Sequence, residues 1–199
     1  CKGLTELEIP AAVTEIGAFA FSDCAALANV TIPAATTAIG ASAFVRVPVT
    51  AVTIPAGVKT IGDNAFDQCA SLTTVTLEGD LDTIGNYAFN SCYTLASIVI
   101  SQGVTRIGNS TFNNCYSLAS VVIPEGVTSI GTSAFYNCKS LASVVIPSSV
   151  TSISNYAFCY CYGMAYYDFR TSTAVPPFSS TNAFTGIPSD CKIVVPDAL

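Results

Sequence analysis

A solenoid of parallel β-strands, with short second strands or turns and no long helix, is the fold class this 199-residue chain predicts. Three observations carry the prediction. Phenylalanine recurs at positions 21, 44, 66, 89, 112, 135 and 158, always 23 residues apart except for one interval of 22. Cysteine follows at a fixed offset, at Cys24, Cys69, Cys92, Cys115, Cys138 and Cys161, with Cys1 on the same ladder. The aliphatic residues keep the same register, so each unit repeats one pattern of apolar columns. A unit this short cannot bury its apolar side alone. Stacking like on like turns the columns into one continuous core.

Within a unit, the Ala-Phe-x-x-Cys stretch reads as a single turn, too short for a stable helix. Three residues after the cysteine come Leu4, Leu27, Leu72, Leu95, Leu118, Leu141 and Met164. The next inward columns are Leu7, Val30, Val75, Ile98, Val121, Val144 and Tyr167, then Ile9, Ile32, Leu77, Ile100, Ile123, Ile146 and Phe169. This Leu-x-x-Val-x-Ile run alternates with period two and is rich in β-branched residues, which predicts a short strand. Pro10, Pro33, Pro55, Pro124 and Pro147 stop it. A second short segment follows, as in Val127-Thr128-Ser129-Ile130-Gly131, its glycine expected in a positive-φ turn. Its isoleucines are Ile16, Ile39, Ile84, Ile107, Ile130 and Ile153.

Two places depart from the pattern. The shortened unit loses its cysteine at Phe44-Val45-Arg46-Val47 and supplies Val49, Val52, Ile54 and Ile61 to the columns. Ser154 stands where glycine is usual. Both predict local irregularity. Residues 1–169 are expected to form the solenoid, in seven to eight units that begin within a repeat, as in a piece of a longer protein. Residues 170–199 are expected to form an irregular terminal unit. There Pro176-Pro177 interrupts the columns, Asn182-Ala183-Phe184 revives the motif, and Cys191 to Pro196 supply a last strand.

The combination Leu-x-x-Val-x-Ile-Pro, Val-x-x-Ile-Gly and Ala-Phe-x-x-Cys resembles the BspA-like leucine-rich repeat family, from Cys1 to Phe169. The resemblance implies a leucine-rich-repeat solenoid. It also implies an extracellular, secreted or cell-surface protein of the kind found in gut and oral anaerobic bacteria and some protists, with adhesion to host proteins or other cells as its role.

The chemistry of the side chains narrows the function. The formal net charge is −6, from 7 Lys and Arg against 13 Asp and Glu. An acidic surface does not attract a phosphate backbone or anionic lipid, so no nucleic-acid partner is expected. No apolar run approaches the roughly 20 residues of a membrane-spanning helix, so no membrane insertion is expected. The chain has no histidine, which removes Ser-His-Asp and Cys-His catalysis and histidine metal sites. Phosphate-binding and dinucleotide-binding fingerprints are missing too, and neither catalysis nor a cofactor is expected. Glu78-Gly79-Asp80-Leu81-Asp82 has the carboxylate density of a calcium loop without the helix-loop-helix spacing, and reads as a solvated turn. The ladder cysteines, one per layer, read as small buried hydrophobes. Cys159 and Cys191 lie off the ladder and are expected to be exposed thiols or an irregular disulfide.

Two surfaces remain as interaction candidates. Alternation along the strand sends outward the pairs Asn29/Thr31, Ala51/Thr53, Thr74/Thr76, Ser97/Val99, Ser120/Val122, Ser143/Val145 and Tyr166/Asp168. Val99, Val122 and Val145 then form an apolar stripe on a flat, nearly uncharged face, either as a contact site or as plain strand formers. Tyr93, Tyr116 and Tyr162 each follow a ladder cysteine, with Lys139 interrupting them, and Tyr136, Tyr156, Tyr160, Tyr166 and Tyr167 add to the C-terminal half. Their flank reads equally as an interface or as aromatic cladding of the repeat edge. A binding module for a protein or glycan on a host or cell surface, a carbohydrate-binding variant of it, and a structural spacer are the functions compatible with these features.

Overall fold

The computed structural model describes residues 1, 3–169 and 181–194. The expected proline interruption at 176–177 and the Val195-Pro196 end of the last strand lie outside the described residues. Fourteen short strands and one 3-10 turn, Thr181–Phe184, make up the regular structure, with no α-helix among the described residues. The alternating Leu-x-x-Val-x-Ile runs form the broad side: β3 (Ala51–Ile54), β5 (Thr74–Leu77), β7 (Ser97–Val99), β9 (Ser120–Val122), β11 (Ser143–Val145), β13 (Tyr166–Asp168) and β14 (Lys192–Val194). The second segments form a narrower side: β1 (Glu15–Ile16), β2 (Ala38–Ile39), β4 (Thr60–Ile61), β6 (Thr83–Ile84), β8 (Arg106–Ile107), β10 (Ser129–Ile130) and β12 (Ser152–Ile153).

All pairing is parallel and in register with the repeat, as in Ile98↔Val121 and Ile130↔Ile153. Each side is interrupted once. The broad side divides into β3-β5-β7-β9 and β11-β13-β14, and the narrow side into β1-β2-β4-β6 and β8-β10-β12. Pairing thins elsewhere as well. β5 meets β7 only at Thr74↔Ser97, against four pairs between β3 and β5.

The third side is built from the Ala-Phe-x-x-Cys stretches, and its bonding is continuous. Two residues per unit adopt left-handed backbone. One column is Phe19, Ser42, Asn64, Tyr87, Ser110, Ser133 and Tyr156; the other is Asp23, Arg46, Gln68, Ser91, Asn114, Asn137 and Tyr160, all with φ between 52° and 61°. With the phenylalanine between them they give three donors per unit to the next layer: Asn64, Phe66 and Gln68 N–H reach the Asn86, Ala88 and Asn90 carbonyls at 2.8–2.9 Å. Intervening residues close turns within their own layer, as Ala65 N–H does on Gly62 at 3.3 Å. A left-handed L-residue costs roughly 1–2 kcal/mol, and the interlayer bond offsets that cost at each position.

The glycines after the narrow strands serve a different purpose from the one the sequence implies. Only Gly126 and Gly186 have positive φ among the described glycines. At Gly62 and Gly85 a Cβ would lie 2.6 and 2.5 Å from backbone nitrogen of the preceding layer, at Ala41 and Asp63. They are glycine because the coils approach closely, not because the chain turns left-handed. Ser154 takes the same place without loss of register, its N–H donating to Ile130 at 2.9 Å as Gly131 does to Ile107.

The core is the set of predicted columns. Phe44, Phe66, Phe89, Phe112, Phe135 and Phe158 are fully buried. With Phe21 and Phe184 they form one stack whose ring centroids are 5.2–5.7 Å apart. The shortened unit does not open it: Phe44 and Phe66 lie 5.2 Å apart. At the C-terminal end Phe184 stacks on Phe158, Phe158 N–H donates to Ala183 at 2.8 Å, and β14 pairs with β13. Tyr167, which the column spacing sends inward although it was also counted with the C-terminal tyrosines, is fully buried. Its hydroxyl has no hydrogen-bond partner among the described residues.

Two stability changes follow. Phe112→Ala is expected to cost about 3–5 kcal/mol, as for other buried phenylalanines. Thr128→Ala, exposed and with one bond to the Thr105 carbonyl, should cost under about 1 kcal/mol. Urea unfolding of both variants measures the contrast, and equal losses would refute the inward–outward assignment. Tyr167→Phe removes an orphaned buried hydroxyl and should raise stability by about 1 kcal/mol; a lower melting temperature would show that the hydroxyl has a partner.

Candidate binding surface

Outward positions on the broad side carry no charge over six successive layers, from Asn29/Thr31 to Ser143/Val145. Val99, Val122 and Val145 are 64%, 55% and 49% exposed, so the valine row stands on the surface as expected. The pair expected to continue it divides. Tyr166 is exposed, but Asp168 is buried, since β14 pairs beside it through Asp168↔Val194.

Where β5 and β7 separate beyond Thr74↔Ser97, a shallow groove of about 450 Å³ opens between the strands. Thr76, Val99, Ser101 and Gln102 line it, with Glu78 and Asp80 at the corner where β5 ends. This divides the acidic cluster. Asp82 belongs to a separate opening between β6 and β8, beside Asp63 and Arg106. The Lys59 ammonium donates to the Asp80 backbone carbonyl at 3.0 Å, not to its carboxylate. No three acidic, cysteine or histidine side chains are grouped to hold a metal ion among the described residues. At the same corner two layers on, Glu125 accepts from Ser148 N–H at 3.2 Å and Ser148 Oγ at 3.1 Å. Slight desolvation pushes the carboxyl of this exposed residue up, but the hydrogen bonds from Ser148 and Ser149 outweigh this and hold it below its ordinary value.

The tyrosine flank is ordered by contact within itself. Tyr93 and Tyr116 stack at 5.0 Å, and the Lys139 ammonium lies 4.5 Å from the Tyr116 ring centroid. Tyr162 tilts against Tyr160 at 5.8 Å, and Tyr160 meets Tyr136 edge-on at 5.3 Å. Tyr160 also rests on the terminal unit. A Cβ at Gly186 would lie 2.3 Å from its ring, so only glycine fits there.

The cysteines are structural. Cys69, Cys92, Cys115, Cys138 and Cys161 are fully buried, and each thiol donates to the carbonyl of a phenylalanine one layer back at 3.1–3.2 Å. Burial pushes Cys69 and Cys161 up to about 12, and Cys92, Cys115 and Cys138 are raised by the same cause. Cys159 corrects the sequence reading: it is buried, in a column where Val45 and Asp67 are buried as well. Cys191 is half-buried, and both are free thiols.

Parallel strands, columns of stacked apolar residues and a third side of repeated turns define a leucine-rich-repeat solenoid. The family model described as BspA type leucine rich repeat region matches residues 1–119 and 37–165, in six copies. The chain belongs to the BspA-type leucine-rich repeat family. Among solved structures, a leucine-rich repeat protein from Bacteroides ovatus is similar at 26% identity and a TM-score of 0.70, over 96% of this chain and 56% of that one. The T. pallidum leucine-rich repeat protein is 26% identical with a TM-score of 0.56, over 94% of this chain and 73% of that one. A leucine-rich repeat protein from Eubacterium ventriosum shares the fold at 23% identity and a TM-score of 0.64, over 82% of this chain and 44% of that one. This chain thus spans about half the length of the Bacteroides ovatus protein. No curated protein matches the sequence.

The ladder thiols generate a prediction on pH. An acid whose pKa is higher in the folded than in the unfolded chain keeps its proton longer when folded. Stability is therefore full below the unfolded value, about 8.5 for cysteine, and falls as pH rises above it. The loss reaches about 1.4 kcal/mol per pH unit for each buried thiol. Urea midpoints at pH 7.0 and 9.5 should show this fall, and Cys115→Ala should make it shallower. At pH 7.5, a thiol reagent should label Cys1 quickly and Cys92, Cys115 and Cys138 only on unfolding. Rapid native labelling at those three would contradict their burial.

Proposed function

We propose that the chain is a non-catalytic recognition module of an extracellular or cell-surface protein, which engages a protein or glycan on a host or cell surface through the outward face of its broad sheet. The exposed row Val99, Val122 and Val145 carries the reading. Folding does not require three valines to stand in line on the surface, and a contiguous exposed apolar strip is a common mark of a contact site. Its setting is flat and rigid, since inward neighbours Ile98, Val121 and Val144 are buried in the core. A module of this kind binds by presenting an extended surface. The absence of histidine from the sequence and the general character of the family support a non-catalytic role.

The arrangement of the tyrosine flank bears on the choice between the two surfaces. Sugar stacking needs a free aromatic face. Tyr93 and Tyr116 turn faces to each other, and Lys139 lies on Tyr116. This favours cladding for that part of the flank and leaves the valine face as the better contact candidate. No helix among the described residues is long and apolar enough to cross a membrane.

The test replaces Val99, Val122 and Val145 together with lysine, checks folding by thermal melt, and measures binding to epithelial cell monolayers and to immobilised extracellular-matrix protein. Binding by the wild type and a loss of at least about tenfold, equivalent to about 1.4 kcal/mol, is the expected result. Undiminished binding would move the site to Tyr93, Tyr116 and Tyr162. A wild type that binds neither surface would make the chain a spacer.

A further inference from the structure

The charges around the valine face indicate what it receives. Its outward positions are uncharged, and the corner where the broad strands end bears Glu78, Asp80 and Glu125. The single ion pair among the described residues, Arg46–Asp23, lies elsewhere, on the phenylalanine side. Glu78 and Asp80 have no ion-pair partner among the described residues, and they stand at the mouth of the groove that Val99 and Thr76 also line. Lys139, at the opposite corner of the face, is engaged over the Tyr116 ring. The Lys59 ammonium, on the Asp80 backbone carbonyl at 3.0 Å, offsets part of this charge, and an apolar strip is bordered on one long edge by a net negative corner.

We propose that the partner of this face is a basic polypeptide segment, whose apolar side chains lie along Val99, Val122 and Val145 while a lysine or arginine enters the groove between β5 and β7 toward Glu78 and Asp80. The proposal rests on the reading of the valine face as the contact surface and names the chemistry of its ligand. The parts suit one another. The stem of a lysine or arginine is apolar and its head cationic, which matches a groove with a threonine–valine lining and carboxylates at its mouth. Charge complementarity of this kind also speeds encounter and rejects partners of the wrong sign. A second copy of this chain, with net charge −6, would bring like charges together along the same edge. An uncharged glycan would leave the carboxylates unanswered.

The experiment uses the whole chain and two synthetic ten-residue peptides of equal apolar content, one alternating valine with lysine and the other valine with glutamate. Surface plasmon resonance measures both, and amide chemical shifts locate the contact. The lysine peptide should bind at least tenfold more tightly than the glutamate peptide. Its binding should weaken between 50 and 500 mM salt, and it should shift the amides of Thr76, Val99 and Gln102. Glu78→Lys with Asp80→Lys should abolish the preference. Glu6→Lys with Glu15→Lys changes the net charge equally and should preserve it, which separates the groove from bulk electrostatics. Equal effects of the two double variants, or equal binding of the two peptides, would overturn the proposal. If both peptides bind equally and the triple valine variant binds neither, the face stands and only its charge preference fails. If the lysine peptide binds the triple valine variant undiminished, the contact reading of the face fails as well. Sedimentation of the free chain supplies the last arm: a dimer broken by the valine substitutions would assign the face to a second copy instead.

Discussion

Each layer of this protein is tied to the next by the same three backbone bonds, from the phenylalanine and the left-handed residue two places to either side of it. They persist where other contacts give way. The broad and narrow ladders are each interrupted once, yet the phenylalanine rings keep a spacing of 5.2–5.7 Å from end to end. The remaining features depend on that regularity. A constant layer spacing lets thiols reach the phenylalanine carbonyls one layer back, and close approach of successive coils restricts the residue after the narrow strand to glycine or a small substitute. It also places Val99, Val122 and Val145 in a row that no single unit could form.

Irregularity in such a molecule therefore has to be absorbed at the corners. The unit that loses one residue between Phe44 and Phe66 does so without disturbing the ring stack, with Val47 and Val49 still buried. The separation of β5 from β7 is similarly local. Close contacts resume at the next corner, where Ser101 Oγ donates to the Gly79 carbonyl at 3.2 Å. The outcome is a concavity on the broad face, at the position where Glu78 replaces the proline found in most other units.

Much of the architecture was legible because burial is periodic. A column of identical apolar residues specifies both a layer and its inward direction, and Leu72, Val75 and Phe66 sit where the spacing sends them. The left-handed positions were not legible. Asparagine hints at that conformation, but Phe19, Tyr87 and Tyr160 do not, and they adopt it because the interlayer bond compensates for poor intrinsic preference. Asp168 and Cys159 were misplaced as well. Asp168 stands in an outward column that the terminal strand covers, and periodicity says nothing about what happens where it stops, whereas Cys159 stands in a column whose members vary in type while Val45 and Asp67 are buried in it too. The outward residues of the broad side, Val99, Val122 and Val145 among them, were legible. The groove was not, because it arises from strand separation, which leaves no mark on the apolar pattern.

The direction of the phenylalanine-side bonds has an electrical consequence. Along that side every interlayer donor points toward the C-terminal end, so the same peptide groups link layer to layer in three parallel strings. An α-helix contains three such strings, and their aligned dipoles sum to partial charges at its ends. Bonds within the strand ladders largely cancel, and at the other corners the donors run the opposite way, from Thr128 to Thr105, Gly131 to Ile107, Ser140 to Tyr116 and Ala142 to Ala119. The phenylalanine side is thus polarised against the rest of each layer, with the positive end of its strings toward the C-terminal end and the opposing bonds on the far corners.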